Sequence, residues 1–272
     1  MSNFTDFISG GGGSTSFPTI FLHKSQTWVP PQDGNIMIHV IGAGGSGVGG
    51  NNRDASSGAA GGYCRKNSLA VTTSGSFTVV IGAGGPASGF NVTSNAGGNT
   101  TFAGTGLAST LTANGGGGGN FNAASGAGGT ATGGDINNTG GTSALYTGGG
   151  AVGLTGTGNS GGGTVGFTTS GGDCDVIGDF WSSSFGNISG SLGSKGAYFL
   201  AAATGLPANV PVDAGPLAGG GAVRQESTTN YGYVIGGAAT IGGGGGYCDN
   251  SATFAASSGR GGEGCVVIQY IP

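Results

Sequence analysis

Sixty-nine of the 272 residues are glycine, and they stand in short blocks that directly follow apolar, β-branched runs. Glycine loses more backbone freedom on folding than any other residue, roughly 0.5–1 kcal/mol each relative to alanine, so the blocks carry an entropic handicap of some tens of kcal/mol. A conventional core of buried side chains does not easily offset that. The chain must either stay disordered or fold so that missing side chains become an advantage. Charged residues are only 7% of the sequence, whereas disordered chains are typically rich in them, and the apolar residues cluster in strand-length runs. Both features argue for order.

Collagen is one ordered use of glycine, but it needs glycine at every third position, and the blocks at residues 115–119 and 242–246 break that register. The alternative is a bundle of extended, three-residue-per-turn segments related to polyproline II, whose N–H and C=O groups point outward and have no partner within their own segment. Glycine lets such rods approach closely enough to bond one another, each bond contributing about 0.5–1.5 kcal/mol net. The expected fold class is therefore all-β and irregular: a small β-sheet root carrying a glycine-rich, polyglycine-II-like lattice. No 3.6-residue apolar stripe appears, so helix should be nearly absent.

The β-branched run at residues 35–41 enters Gly42-Ala43-Gly44-Gly45, and the run at 77–81 enters Gly82-Ala83-Gly84-Gly85. Residues 68–73 alternate and lead through Thr73-Ser74-Gly75-Ser76 toward 77–81, which reads as a hairpin. Residues 231–235 and 265–271 supply further strands, and these runs are expected to form one sheet. Two regions differ from the glycine-rich body at 32–272. Residues 1–31 place Phe4, Phe7 and Ile8 before a glycine tether, which suits an attachment arm docking on another protein or, equally, a strand tucked under the body. Residues 173–233 are poorer in glycine and carry Phe180, Trp181, Phe185 and Tyr198, either a local core or a presented binding surface.

Formal net charge is −4 and the seven basic residues are scattered, so nucleic acid is not an expected partner. The first residues lack the cationic and apolar regions of a signal peptide, which points to synthesis without a visible export signal. The four cysteines are expected to be reduced. The repeated phrase Gly61-Gly62-Tyr63-Cys64 and Gly245-Gly246-Tyr247-Cys248 would place Cys64 and Cys248 together if the two segments packed side by side.

Motifs for chemistry lack their structural context. Gly42-x-Gly44-x-x-Gly47 follows a strand but precedes no helical pattern, so a dinucleotide site is not expected. Gly158-Asn159-Ser160-Gly161-Gly162 matches G-x-S-x-G without the strand and helix that a nucleophile elbow needs. Asp173, Asp175 and Asp179 echo half a calcium loop, but Ser184 stands where the bidentate Glu belongs. The expectation is a non-enzymatic protein with no cofactor or metal.

Thr27-Trp28-Val29-Pro30, the strand at 36–41, the two Gly-Ala-Gly-Gly units, Gly61-Gly62-Tyr63, Gly97-Gly98-Asn99-Thr100-Thr101-Phe102 and Gly261-Gly262-Glu263-Gly264-Cys265-Val266-Val267-Ile268 follow one another along the chain. This series resembles the glycine-rich domain of bacteriophage tail-fibre and adhesin proteins, and the body resembles the polyglycine-II sandwich of distal phage adhesins. The resemblance implies a virion protein, assembled in the host cytoplasm and held to other virion proteins through Phe4, Phe7 and Ile8. Its loops would touch a host surface glycan or outer-membrane protein, with Phe180, Trp181, Phe185 and Tyr198 as candidate receptor-binding residues. Self-association into a homo-oligomer is compatible with it. The rival readings are a purely structural capsid-decorating or tail component and, more distantly, a bacterial surface or ice-binding protein presenting hydroxyls such as Thr100, Thr101, Thr110 and Thr112.

Overall fold

The computed structural model describes residues 18–50, 56–89, 92–120, 126–143, 157–158, 223–225, 234–235, 242–245, 248–250 and 256–272. Fifteen strands occur in it: β1 (Thr19–Leu22), β2 (Gln26–Trp28), β3 (Gly34–Ile41), β4 (Gly49–Gly50), β5 (Tyr63–Val71), β6 (Phe77–Val80), β7 (Thr100–Gly104), β8 (Leu111–Ala113), β9 (Ala131–Thr132), β10 (Ile136–Asn138), β11 (Val223–Gln225), β12 (Val234–Ile235), β13 (Cys248–Asn250), β14 (Ala256–Ser257) and β15 (Cys265–Ile271). The described residues contain no helix.

Two antiparallel five-stranded sheets form a sandwich, one ordered β1-β15-β3-β5-β10 and the other β2-β6-β7-β8-β9. Strict alternation decides which side chains meet between them, because successive residues of a strand point to opposite faces. From the first sheet Ile36, Ile38, Val40, Val266, Ile268 and Tyr270 point inward; from the second come Trp28, Phe77, Val79, Phe102 and Leu111. The rings of Trp28, Phe77 and Phe102 lie with centroids 5.0–6.1 Å apart. Each such fully buried side chain contributes about 1.5–3 kcal/mol. The sandwich is thus a conventional apolar root.

Two expectations change here. Residues 68–73 and 77–81 do not form a hairpin: β5 pairs with β3 and β10 while β6 pairs with β2 and β7, so the turn closed by the Gly75 N–H on the Thr72 carbonyl (2.8 Å) crosses from one sheet to the other. The root is two packed sheets where one was expected, and β12 lies outside both, paired in parallel with β14. Of the two readings of 1–31, the 19–28 part takes the second, strands within the body: β1 joins one sheet and β2 the other, with Leu22 and Trp28 in the core.

Above the sandwich the chain runs as nine glycine-rich rods among the described residues: I (42–48), II (56–62), III (82–89), IV (92–99), V (114–120), VI (126–130), VII (139–143), VIII (242–245) and IX (258–264). Their hydrogen bonds repeat every third residue. In rod I the N–H groups of Gly42, Gly45 and Val48 donate to Gly62, Ala59 and Ser56 of rod II, those of Ala43 and Ser46 to Gly98 and Asn95 of rod IV, and those of Gly44 and Gly47 to Gly262 and Gly259 of rod IX. The carbonyls of Ala43, Gly44 and Gly45 accept from Gly116 of rod V, Gly85 of rod III and Gly245 of rod VIII. Rod I therefore donates to three antiparallel neighbours and accepts from three parallel ones.

Those six neighbours also bond one another in a closed ring, II to V, V to IV, IV to III, III to IX, IX to VIII and VIII to II. Rods VI and VII extend the lattice beyond rods II and V. This hexagonal order with a three-residue period is the polyglycine-II arrangement expected from the sequence. Steric room explains the glycine. A Cβ at Gly44 would fall inside the Gly243 carbonyl group, one at Gly244 inside that of Gly58, and one at Gly115 inside that of Gly97. Where lattice positions carry Ala43, Ala59 or Ala60, the methyl group is wholly buried in the spaces that remain.

Candidate recognition surface

Rods I, III and V continue from the ends of β3, β6 and β8, and rods II, IV, VI and IX lead back into β5, β7, β9 and β15. The connections I–II, III–IV and V–VI therefore leave from the end of the lattice away from the sandwich. The body has a root end and a distal end, and chain connectivity joins these rod pairs at the distal end. Conversely, β1 begins on the side of the sandwich away from the rods, where the Pro18 carbonyl accepts from Tyr270 N–H (3.1 Å) and Thr19 lies opposite Gln269.

Serines mark where the rods stop. Ser56 N–H donates to the Asn120 carbonyl (3.1 Å) while Asn120 N–H donates to Ser56 Oγ (2.8 Å), and Ser46 and Asn95 form the same reciprocal pair at 2.8 and 2.9 Å. Ser258 N–H donates to the Ser88 carbonyl (3.0 Å), Ser88 N–H returns a bond to Ser258 Oγ (2.8 Å), and Ser88 Oγ donates to the Gly47 carbonyl (2.9 Å). Ser94 Oγ donates to Gly119. Ser46, Ser56, Ser88 and Ser258 are buried. Each hydroxyl satisfies a backbone group at a rod end, clamping rods in pairs below their connections. A surface built there rests on a rigid base.

This collar was not anticipated from the sequence. Its signal is serine in or beside a glycine block, as in Gly45-Ser46-Gly47, Ser56-Ser57-Gly58, Ser88-Gly89 and Ser258-Gly259.

Beyond the collar, β4 continues rod I and pairs in parallel with β13, which pairs in parallel with β11. Cys248 therefore lies opposite Gly49, whereas Cys64 lies opposite Val40 in the root. Nine residues of extended chain separate those levels, roughly 28 Å at 3.1 Å per residue. The two cysteines of the repeated phrase are not neighbours. Cys64 and Cys265 are buried free thiols, each pushed up to about 12 by desolvation. Thiolate chemistry is suppressed at both.

The residues singled out for chemistry are lattice or core elements where they are described. Gly42-x-Gly44-x-x-Gly47 is the central rod, and its N–H groups are taken by neighbouring rods, so none remains to cradle a phosphate. His39 is buried on the face of the first sheet turned away from the core, with Nδ1 2.8 Å from Tyr63 Oη and Nε2 3.3 Å from Gln269 Oε1. Burial is the main cause that lowers its pKa to about 4; Gln269 opposes the shift and Arg65 adds to it. The imidazole is neutral at pH 7. Among the described residues no cluster of three His, Cys, Asp or Glu side chains could hold a metal ion. Thr100, which the ice-binding alternative would place in an exposed hydroxyl array, is fully buried and its Oγ1 accepts from Gly82 N–H (3.1 Å). Thr101 and Thr112 are partly exposed cross-strand partners. Phe4, Phe7 and Ile8 of the arm, Phe180, Trp181, Phe185 and Tyr198 of the insert, and the half calcium loop lie outside the described residues, as does Ser160.

Comparison with curated proteins finds no match. A family model does match, over residues 20–271, from the first strand of the sandwich to the last. The lattice and the strand-to-glycine grammar both lie within that span. The chain belongs to the glycine-rich domain family.

Proposed function

We propose that this protein is a bacteriophage virion component, a tail-fibre or tip adhesin, that works without catalysis. The N-terminal arm, through Phe4, Phe7 and Ile8, attaches it to other virion proteins, and segments at the distal end of the lattice bind a glycan or an outer-membrane protein on the host surface. The observation that carries this reading is the polarity of the body: β1 begins on the side away from the rods, and rods I, III and V run to the opposite end, at the serine collar. Such a base suits recognition, because segments anchored on a rigid lattice lose less entropy on binding than segments on a mobile one. Several copies on one particle would convert weak contacts into avidity.

The test is direct. Labelled antibody against residues 173–233 should decorate tail fibres or tail tips and block adsorption to host cells. Decoration of the capsid with normal adsorption would favour a structural decoration protein, and absence from purified particles would end the virion reading.

A further inference from the structure

Between Lys66 and Asp135 the sequence contains no Asp, Glu, Lys, Arg or His. That stretch builds one continuous side of the body. It supplies β6, β7, β8 and β9, which are adjacent in one sheet, and rods III, IV, V and VI, which join those strands in the same order. On the solvent face of the sheet, register aligns Val80, Thr101, Thr112 and Thr132 in one row across four strands. Val80 is 43% exposed there. Among the described residues the ion pairs lie elsewhere: Lys66 with Asp135 at the β5–β10 edge of the other sheet, Arg260 with Glu263 on rod IX.

Among the described residues, the rods of this side form an edge of the lattice. In rod V, Gly116 and Gly119 donate to rod I, and Asn114 and Gly117 donate to rod VI; the third direction, shared by Gly115 and Gly118, faces outward. Gly115 N–H is taken by Asn99 Oδ1 (3.0 Å), while Gly118 N–H makes no backbone bond among the described residues. In rod IV, Gly97 and Gly98 donate into the lattice, and Ala96, which is exposed, donates to no backbone carbonyl among the described residues.

We propose that this uncharged side binds a second copy of the chain, face to face about a two-fold axis. Outward N–H groups on rods are the lattice counterpart of an open sheet edge, a template for pairing with another backbone. Two molecules of net charge −4 meet with least repulsion through the side that carries no charge, and interface centres are depleted in charged residues. The described part of the face presents no aromatic ring, the usual platform for a sugar, which favours a second copy over a glycan. A self-complementary patch closes as a dimer, because the same residues meet on both sides of the axis. The inference holds independently of where the protein resides.

Sedimentation velocity of the full chain over a wide concentration range tests it. The wild type should associate to a dimer. Ala96→Lys and Thr112→Lys each place two like charges across the axis and should raise the dimer dissociation constant at least tenfold, with far-UV circular dichroism unchanged. Gln32→Lys, in the exposed bend between β2 and β3, should dimerise like the wild type. A wild type that is monomeric at every concentration overturns the proposal. So does a dimer that both face variants leave intact, and so does a monomeric chain that instead retains a neutral polysaccharide through this face.

Discussion

Replacing Gly44 by alanine adds one methyl group at the centre of the lattice, and its consequence can be worked from the backbone around it. The new Cβ would overlap the Gly243 carbonyl of rod VIII, whereas non-bonded atoms prefer about 3.5–4.0 Å, so rods I and VIII must part by more than about 1 Å. Three bonds are placed at risk: Gly44 N–H to Gly262, Gly85 N–H to Gly44 and Gly262 N–H to Gly243, each 2.9 Å. A buried polar group left unpaired costs about 1–3 kcal/mol, and the loss of Gly conformational freedom in the unfolded chain returns only about 0.4–1 kcal/mol. Disrupting two of the three bonds gives a net destabilisation of roughly 1–5 kcal/mol, a large share of the 5–15 kcal/mol typical of a folded domain. Gly89 is the matched control, since a Cβ there meets nothing closer than Val92 Cγ2 at 3.9 Å. Gly89→Ala should be neutral or stabilising by up to about 1 kcal/mol. Equilibrium urea unfolding followed by tryptophan fluorescence measures both. Equal midpoints for Gly44→Ala and Gly89→Ala would refute the reasoning.

Within rods V and VIII, Gly117→Ala should be far milder than Gly244→Ala, because a Cβ at Gly117 meets Ala127 N at 3.0 Å whereas one at Gly244 overlaps the Gly58 carbonyl; a comparison of melting temperatures checks this. Acid should destabilise the fold through His39. Its pKa is about 4 when folded against 6.5 ordinarily, so the unfolded chain binds more protons in between, and stability on the order of 3 kcal/mol is lost as pH falls from about 6.5 to 4. His39→Gln should flatten that part of a stability-against-pH profile. Deleting residues 1–13 should leave a folded body, because the sandwich begins at Thr19, yet abolish incorporation into particles; normal incorporation would refute the attachment role. Trp181→Ala should reduce adsorption to host cells without changing the melting temperature if Trp181 is a recognition anchor, and lower stability by about 3–5 kcal/mol if it is a core ring.

The rods were legible because their cause is local. Gly-Ala-Gly-Gly after a β-branched run leaves few other ordered structures open to the chain, and the alternation Ile36, Ile38, Val40 gives the buried face of β3 directly. Partner choice was not legible. A three-residue period offers the same three directions to every rod, so nothing in Gly42-Ala43-Gly44 says that rods II, IV and IX will fill them. The turn at Thr73-Ser74-Gly75 reads the same whether the chain returns to its own sheet or crosses to the facing one, which is why β5 and β6 looked like a hairpin. The serine collar was missed for a related reason. Serine beside glycine looks like linker composition until Ser88 meets Ser258, 170 residues away.

Amide hydrogen exchange, resolved residue by residue in the full chain, tests the lattice most directly. Rod I belongs to neither sheet, yet the N–H groups of residues 42–48 are all bonded to surrounding rods, and the structure predicts that they exchange as slowly as those of β3 and β15, through global unfolding alone. Exchange of those amides at the rate of an open glycine-rich loop, with β3 and β15 still protected, would contradict the lattice and every conclusion built on it.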